Sequence, residues 1–238
     1  VSKPLPLARY EVIESKAADF YGLDKTPIEV EIEYAGQIVK AAMTNKSLYT
    51  NVSIKKTGYA QTMNNNVMRW TVSGVRNDST TSLQSFYWRD TLPTDAVRLT
   101  RLVTGTYSTT QTYKVTFTTN LNSQWRTAYD NLSTAKNYTL DMSSAALGLA
   151  SNEYVTQFML SFGIVPAGFH QLTNATVDAQ TLYALTNGYK FTNKADVGGL
   201  LGGNWVQSIA RWTTSVYSHY VPAKPAAPKS PKLPRTGY

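Results

Sequence analysis

The chain has 238 residues, 42% of them hydrophobic and 16% charged, with a net charge of +8 and no cysteine. That balance suits one large or two modest folded domains, and it excludes a disulfide framework, a thiolate metal site and a cysteine nucleophile. The excess charge does not point to nucleic acid: residues 1–51 carry six basic and seven acidic side chains, residues 52–220 thirteen and eight, and the last eighteen residues four and none, and no stretch interleaves Lys/Arg clusters with stacking aromatics.

Tyrosines (16) outnumber phenylalanines (7), and Thr, Val, Ser and Asn recur throughout, a composition that favours strands between polar turns and predicts an all-β chain. No apolar run reaches the ~20 residues that would span a bilayer, and the first residues carry no signal-peptide pattern. Val1-Ser2-Lys3-Pro4 opens without Met, so the chain is expected to be a piece of a longer precursor.

In chain order, Tyr10 to Glu14 and Ile28 to Tyr34 alternate apolar and polar residues, the period of half-buried strands. In the second run Ile28, Val30, Ile32 and Tyr34 face one way and three glutamates face water. Ala35-Gly36-Gln37 reads as a turn, with a returning strand expected over Ile38 to Thr44. So few strands do not make a stable domain, and residues 1–51 are expected to be the C-terminal part of one.

A second domain is expected over 52–220, with strands at 51–56, 67–75, 85–90, 112–118 and 155–162, each rich in β-branched and aromatic residues. A short helix capped by Asp178 is predicted over Asp178 to Leu185. Many strands with polar turns and little helix argue for a β-sandwich. In the tail, residues 221–238, proline stands at 222, 225, 228, 231 and 234. This three-residue period matches polyproline II and predicts a semi-rigid spacer.

The tail ends in Leu233, Pro234, Arg235, Thr236 and Gly237, which resembles the Leu-Pro-any-Thr-Gly sorting signal of Gram-positive wall proteins. The resemblance implies a sortase that cuts between Thr236 and Gly237 and joins the threonine carboxyl to peptidoglycan or a neighbouring pilin subunit. That family's signal continues with an apolar helix and a basic tail, expected beyond Tyr238.

Tyr10, Glu14, Ala17 and Tyr21 match the pattern Tyr-x-Leu-x-Glu-Thr-x-Ala-Pro-x-Gly-Tyr of collagen-adhesin B-type (SpaA-like) pilin domains, with Ala18 and Phe20 replacing its Pro and Gly. By that resemblance Glu14 is the glutamate that promotes an intramolecular isopeptide bond and Asn51 a candidate acceptor, while the lysine partner would lie upstream of Val1. The residues alone also allow Glu14 to be a solvated strand residue.

Residues 52–200 resemble the A-type pilin and adhesin sandwiches, which are immunoglobulin-like. Asp90-Thr91-Leu92-Pro93 and Phe191-Thr192-Asn193-Lys194-Ala195 match segments of that family. Alternation puts Val52, Ile54 and Lys56 on one strand face, so Lys56 rather than Lys55 points inward. The resemblance therefore implies an isopeptide triad of Lys56, Asp90 and Asn193. A surface Lys56, with Asp90 and Asn193 as turn residues, is equally writable from the residues alone.

Other candidates carry less. His170 and His219 lack a partner at metal spacing, no Gly-x-Ser-x-Gly elbow is present, and the glycines of Gly198 to Gly203 lack the Lys-Ser/Thr of a phosphate loop. No metal or cofactor is expected, and no enzyme. Trp205 and Trp212 are expected in the core, the alternative being a ligand surface. The function this implies is a wall-anchored, extracellular stalk. Its alternative is an adhesin module over 52–220 that binds a glycan or a host matrix protein.

Overall fold

The computed structural model describes residues 3–18, 21–63 and 66–217. Among them there are fifteen strands and no α-helix. The spacer and the motif Leu233 to Gly237, with His219, lie outside the described residues.

Two short strands come first. β1 (Ala8–Val12) and β2 (Ile28–Ile32) pair antiparallel with Tyr10 opposite Val30, and Ile28, Val30 and Ile32 are half-buried while Glu29 and Glu31 are exposed. The return strand expected over Ile38 to Thr44 does not form. Gly36 turns the chain at φ 86°, but Ile38 beyond it is 86% exposed, because the stretch lacks the alternation that would give it one buried face.

The rest of the described chain builds two antiparallel sheets. Its strands are β3 (Val52–Gly58), β4 (Val67–Asn77), β5 (Leu83–Thr91), β6 (Val97–Val103), β7 (Thr106–Tyr107), β8 (Thr112–Thr119) and β9 (Arg126–Ser133). They continue with β10 (Thr139–Asp141), β11 (Val155–Val165), β12 (Gln171–Thr173), β13 (Ala175–Thr181), β14 (Lys190–Leu201) and β15 (Asn204–Ser215). One sheet runs β10-β6-β13-β4-β3, the other β15-β14-β5-β11-β8-β9, and β7 and β12 form a small pair. The non-sequential orders mean that chain-distant strands lie side by side, as in a sandwich.

Between the sheets lies one core. Met68, Trp70 and Val72 point inward from β4, Phe86 and Trp88 from β5, Phe158 and Leu160 from β11, all fully buried. Trp70 meets Phe191 edge-on at 6.3 Å across the two sheets. In β4 the inward set shifts by one after Val72, to Val75 and Asn77, because Gly74 sits at φ 62° where the β3 pairing slips. A residue with a Cβ would strain that bulge.

The helix expected from Asp178 is instead β13, paired to β4 on one side and β6 on the other. Asp178 caps nothing. Arg69 Nε and Nη2 donate to its two carboxylate oxygens at 2.6 and 2.8 Å, and Arg101 Nε donates at 2.7 Å. The flanking Val177 and Ala179 are fully buried, so an interior strand position outweighs the local capping preference.

Candidate functional site

The alternation of β3 decides where Lys56 goes. Val52, Ile54 and Lys56 are buried and Lys55 is exposed, so the ammonium end of Lys56 is carried into the space between the sheets. Asp90 arrives from β5 in the opposite sheet, where it pairs with Phe158 of β11 and Ala195 of β14. Asn193 lies two residues before Ala195 on β14 and shares its inward face. The three residues meet from two sheets, although 137 positions separate the first from the last in sequence.

Lys56 Nζ donates to Asp90 Oδ2, and both side chains are 0% exposed. The surroundings are apolar and aromatic. Lys56 Nζ sits 5.7 Å from the Trp70 ring centre, and Phe191 and Phe158 are buried in the same core. Gly58 keeps this corner tight, because a Cβ there would stand 2.6 Å from Trp70 Cδ1 and 3.1 Å from Trp212 Cδ1. The lid over it is β15, tied down where Trp212 Nε1 and Thr214 Oγ1 both donate to the Tyr59 carbonyl at 3.0 Å.

Burial disfavours both charges. It pushes the Lys56 amine down, against the pull of Asp90, and pushes the Asp90 carboxyl up, against the pull of Lys56. The pair is therefore driven toward a neutral amine beside a protonated acid, the forms that suit a nucleophile and a hydrogen-bond donor.

Asn193 supplies the third property. It is fully buried, and neither Oδ1 nor Nδ2 has a hydrogen-bond partner of normal geometry, nor does Asp90 Oδ1. The amide is nonetheless close enough to Asp90 to favour its charged form. A buried carboxamide with no partner costs on the order of 1–3 kcal/mol or more. Such a cost makes Lys56, Asp90 and Asn193 the candidate functional site.

Glu14 is a different case. It is half-buried, and its Oε1 accepts from Asn45 Nδ2 at 2.6 Å. Asn51, the residue expected beside it, instead lies just before β3, donating its N–H to Ser79 Oγ at 3.0 Å. The carboxamide next to Glu14 is thus that of Asn45, which sequence reasoning missed because no spacing rule links positions 14 and 45. Trp205 is also misplaced by the core expectation: it is 60% exposed, whereas Trp212 packs against the core. His170 holds a structural place, its Nδ1 lying 2.8 Å from the Gly168 carbonyl. No group of three His, Cys, Asp or Glu with metal-binding geometry occurs among the described residues.

No protein-family model matches the chain, and no curated protein matches it. Among solved structures the chain is similar to the major pilin subunit of Bacillus cereus, at 11% identity over 90% of this chain and 56% of that one, with a TM-score of 0.37. It is similar to the major pilin SpaD of Corynebacterium diphtheriae, at 16% identity over 88% and 47%, with a TM-score of 0.36. A collagen-binding domain from a Staphylococcus aureus adhesin shows 12% identity over 71% and 100%, with a TM-score of 0.33. The chain spans about half the length of the two pilins. The chemistry of the site therefore rests on this chain's own residues.

Proposed function

We propose that residues 52–220 form a self-crosslinking, non-enzymatic stalk domain of an extracellular surface protein, in which Lys56 and Asn193 become joined by an isopeptide bond with Asp90 as the acid. The observation that carries this reading is the buried amine–acid pair set beside a buried, unpartnered carboxamide.

The reaction needs no cofactor. Protonated Asp90 hydrogen-bonds the Asn193 side-chain carbonyl and polarises it. The neutral Lys56 amine attacks the Asn193 side-chain carbon, giving a tetrahedral intermediate whose oxygen charge Asp90 offsets. A proton passes from the attacking nitrogen to the departing one, the carbon–nitrogen bond to Nδ2 breaks, and ammonia leaves. One amide has been exchanged for another, and Asp90 is returned as it began.

The bond would tie β3 to β14 and close most of the domain into one loop. Pulling at residues 52 and 217 would then load the covalent tie instead of the hydrogen-bonded ladders. Residues 221–238 would act as the spacer, with Leu233 to Gly237 as the site where a sortase joins Thr236 to peptidoglycan or to another subunit. Residues 1–51 would be the end of a preceding domain.

Single-molecule stretching tests the mechanical part. In the parent chain the stretch between Lys56 and Asn193 should not lengthen when the domain unfolds. In Asn193→Ala the same stretch should add about 450–500 Å, at 3.3–3.6 Å per residue. Equal extension in both proteins would contradict the reading. Incubation with a sortase and an oligoglycine nucleophile tests the anchor: the parent should be labelled at Thr236 and Thr236→Ala should not.

A further inference from the structure

The outer face of the six-stranded sheet carries a groove that the crosslink does not use. Its volume is about 670 Å³, and it crosses β5, β11 and β8, with Trp125 and Trp205 among its lining residues. That is the size of a small-molecule site. These two indoles are 40% and 60% exposed, which leaves their ring faces accessible from the groove.

The groove is built rather than incidental. The β11 pairing with β5 slips twice, around Gly163, which has φ 74° and open space where a Cβ would be. Facing it across the strands, Ser85 holds φ 50°, a conformation that costs a non-glycine residue about 1–3 kcal/mol. Two bulges and a strained serine sink a hollow into a sheet that would otherwise be smooth.

One wall is pre-organised. Tyr87 lies over Gly198, where any Cβ would stand 2.9–3.1 Å from the phenol ring. Its hydroxyl donates to Asp196 Oδ2 at 3.1 Å, Arg89 donates to both Asp196 oxygens, and Gln207 Nε2 donates to Asp196 at 2.9 Å. Asp196 itself is fully buried. Burial and the Asp196 charge push the Tyr87 phenol up to about 12, so it remains a donor. This fixed ring supports Trp205 edge-on at 6.0 Å. Lys114, Asp130, Ser161 and Thr112 add hydrogen-bonding groups, and neither Lys114 nor Asp130 is in an ion pair among the described residues.

The occupant follows from that lining. A peptide that binds by adding a strand needs an open sheet edge, but β5, β11 and β8 are interior strands paired on both sides. A helix presenting an apolar stripe would leave the amine, carboxylate and hydroxyls unpaired. A sugar chain satisfies both features: the negative faces of the indoles attract the polarised C–H faces of pyranose rings, and ring hydroxyls pair with the polar side chains.

We propose that this groove is an oligosaccharide-binding site, with Trp125 and Trp205 stacking on pyranose rings and Lys114, Asp130 and Ser161 reading their hydroxyls. The site is separate from the crosslink, and its test leaves the crosslink untouched.

The full chain should be applied to an array of immobilised neutral, sialylated and uronic-acid oligosaccharides, and the strongest one titrated against tryptophan fluorescence. Trp125→Ala and Trp205→Ala should each weaken binding by about tenfold or more, with melting temperatures within about 2 °C of the parent. Gly198→Ala, which displaces Tyr87, should weaken binding with both indoles still present. The proposal is overturned if no oligosaccharide binds above the level of the double variant Trp125→Ala/Trp205→Ala, or if that variant binds as tightly as the parent.

Discussion

Two carboxylate–cation clusters sit in the same sandwich and behave in opposite ways. At Asp178, burial is outweighed by hydrogen bonds and charge from Arg69 and Arg101, and the carboxyl is held below its ordinary value. At Asp90, burial wins over Lys56 and the carboxyl is raised. The difference is access to water. Arg69 and Arg101 are 40% and 45% exposed and keep their hydration while reaching inward, whereas Lys56 and Asp90 have none. Guanidinium also stays charged where an ammonium gives up its proton. The first cluster is a fastener. The second is driven toward its neutral forms, with the buried Asn193 carboxamide beside it.

The largest expected effect separates the two directly. Asn193→Ala should remove the crosslink and restore the entropy of a loop of roughly 140 residues, worth about 5 kcal/mol in the chain-entropy model. A domain of this size should then melt some 10–20 °C lower, as scanning calorimetry would read. A drop of only a few degrees would mean that no covalent tie was lost.

Asp90→Ala sharpens the comparison further. It retains the amine and the amide, yet no bond should form. It also leaves Lys56 buried without its partner, at an added cost of about 3–5 kcal/mol. Replacing both members, as Lys56→Met with Asp90→Leu, should recover most of that added cost while the crosslink stays absent. If the double replacement were as unstable as Asp90→Ala alone, desolvation would not be what shapes the site.

The fastener should show a smaller, pH-dependent effect. Because the folded carboxyl of Asp178 lies below its ordinary value of 3.8, its stabilisation is present above about pH 4 and is lost as pH falls through the folded value. Asp178→Asn should cost about 2 kcal/mol at pH 7 and flatten the acid limb of the stability curve. Denaturant titrations at pH 7 and pH 3 would read both. A variant with the parent's full acid dependence would show that other carboxylates carry it. Smallest of all, Glu14→Gln should shift the melting of the larger sandwich by less than about 0.5 kcal/mol in equivalent stability, and leave its mass otherwise unaltered.

How much of this could be read from the sequence varies by position. The inward direction of Lys56 was legible because β3 alternates cleanly, and the strands carrying Trp70, Trp88 and Phe158 were legible because their β-branched and aromatic runs are long. Asp178 was misread because capping is a local rule, while the arginines that claim it come from 109 and 77 positions away. The hairpin joining β14 to β15 has a local signal: Gly202 and Gly203, at φ 55° and 88°, form the two-residue turn that closes such hairpins, a role distinct from a phosphate loop. Neither the burial of Asn193 without a partner nor the hollow at Ser85 and Gly163 leaves a local pattern. Both arise only when strands distant in sequence are laid side by side.

The central claim is most directly tested by the intact mass of the purified chain, followed by peptide mapping. Loss of ammonia should leave the protein about 17 Da lighter than its sequence mass, with a branched peptide joining Lys56 to Asn193, and the deficit should vanish in Lys56→Ala, Asp90→Ala and Asn193→Ala. A mass equal to that of the sequence, with Lys56 and Asn193 recovered on separate unmodified peptides, would contradict the account.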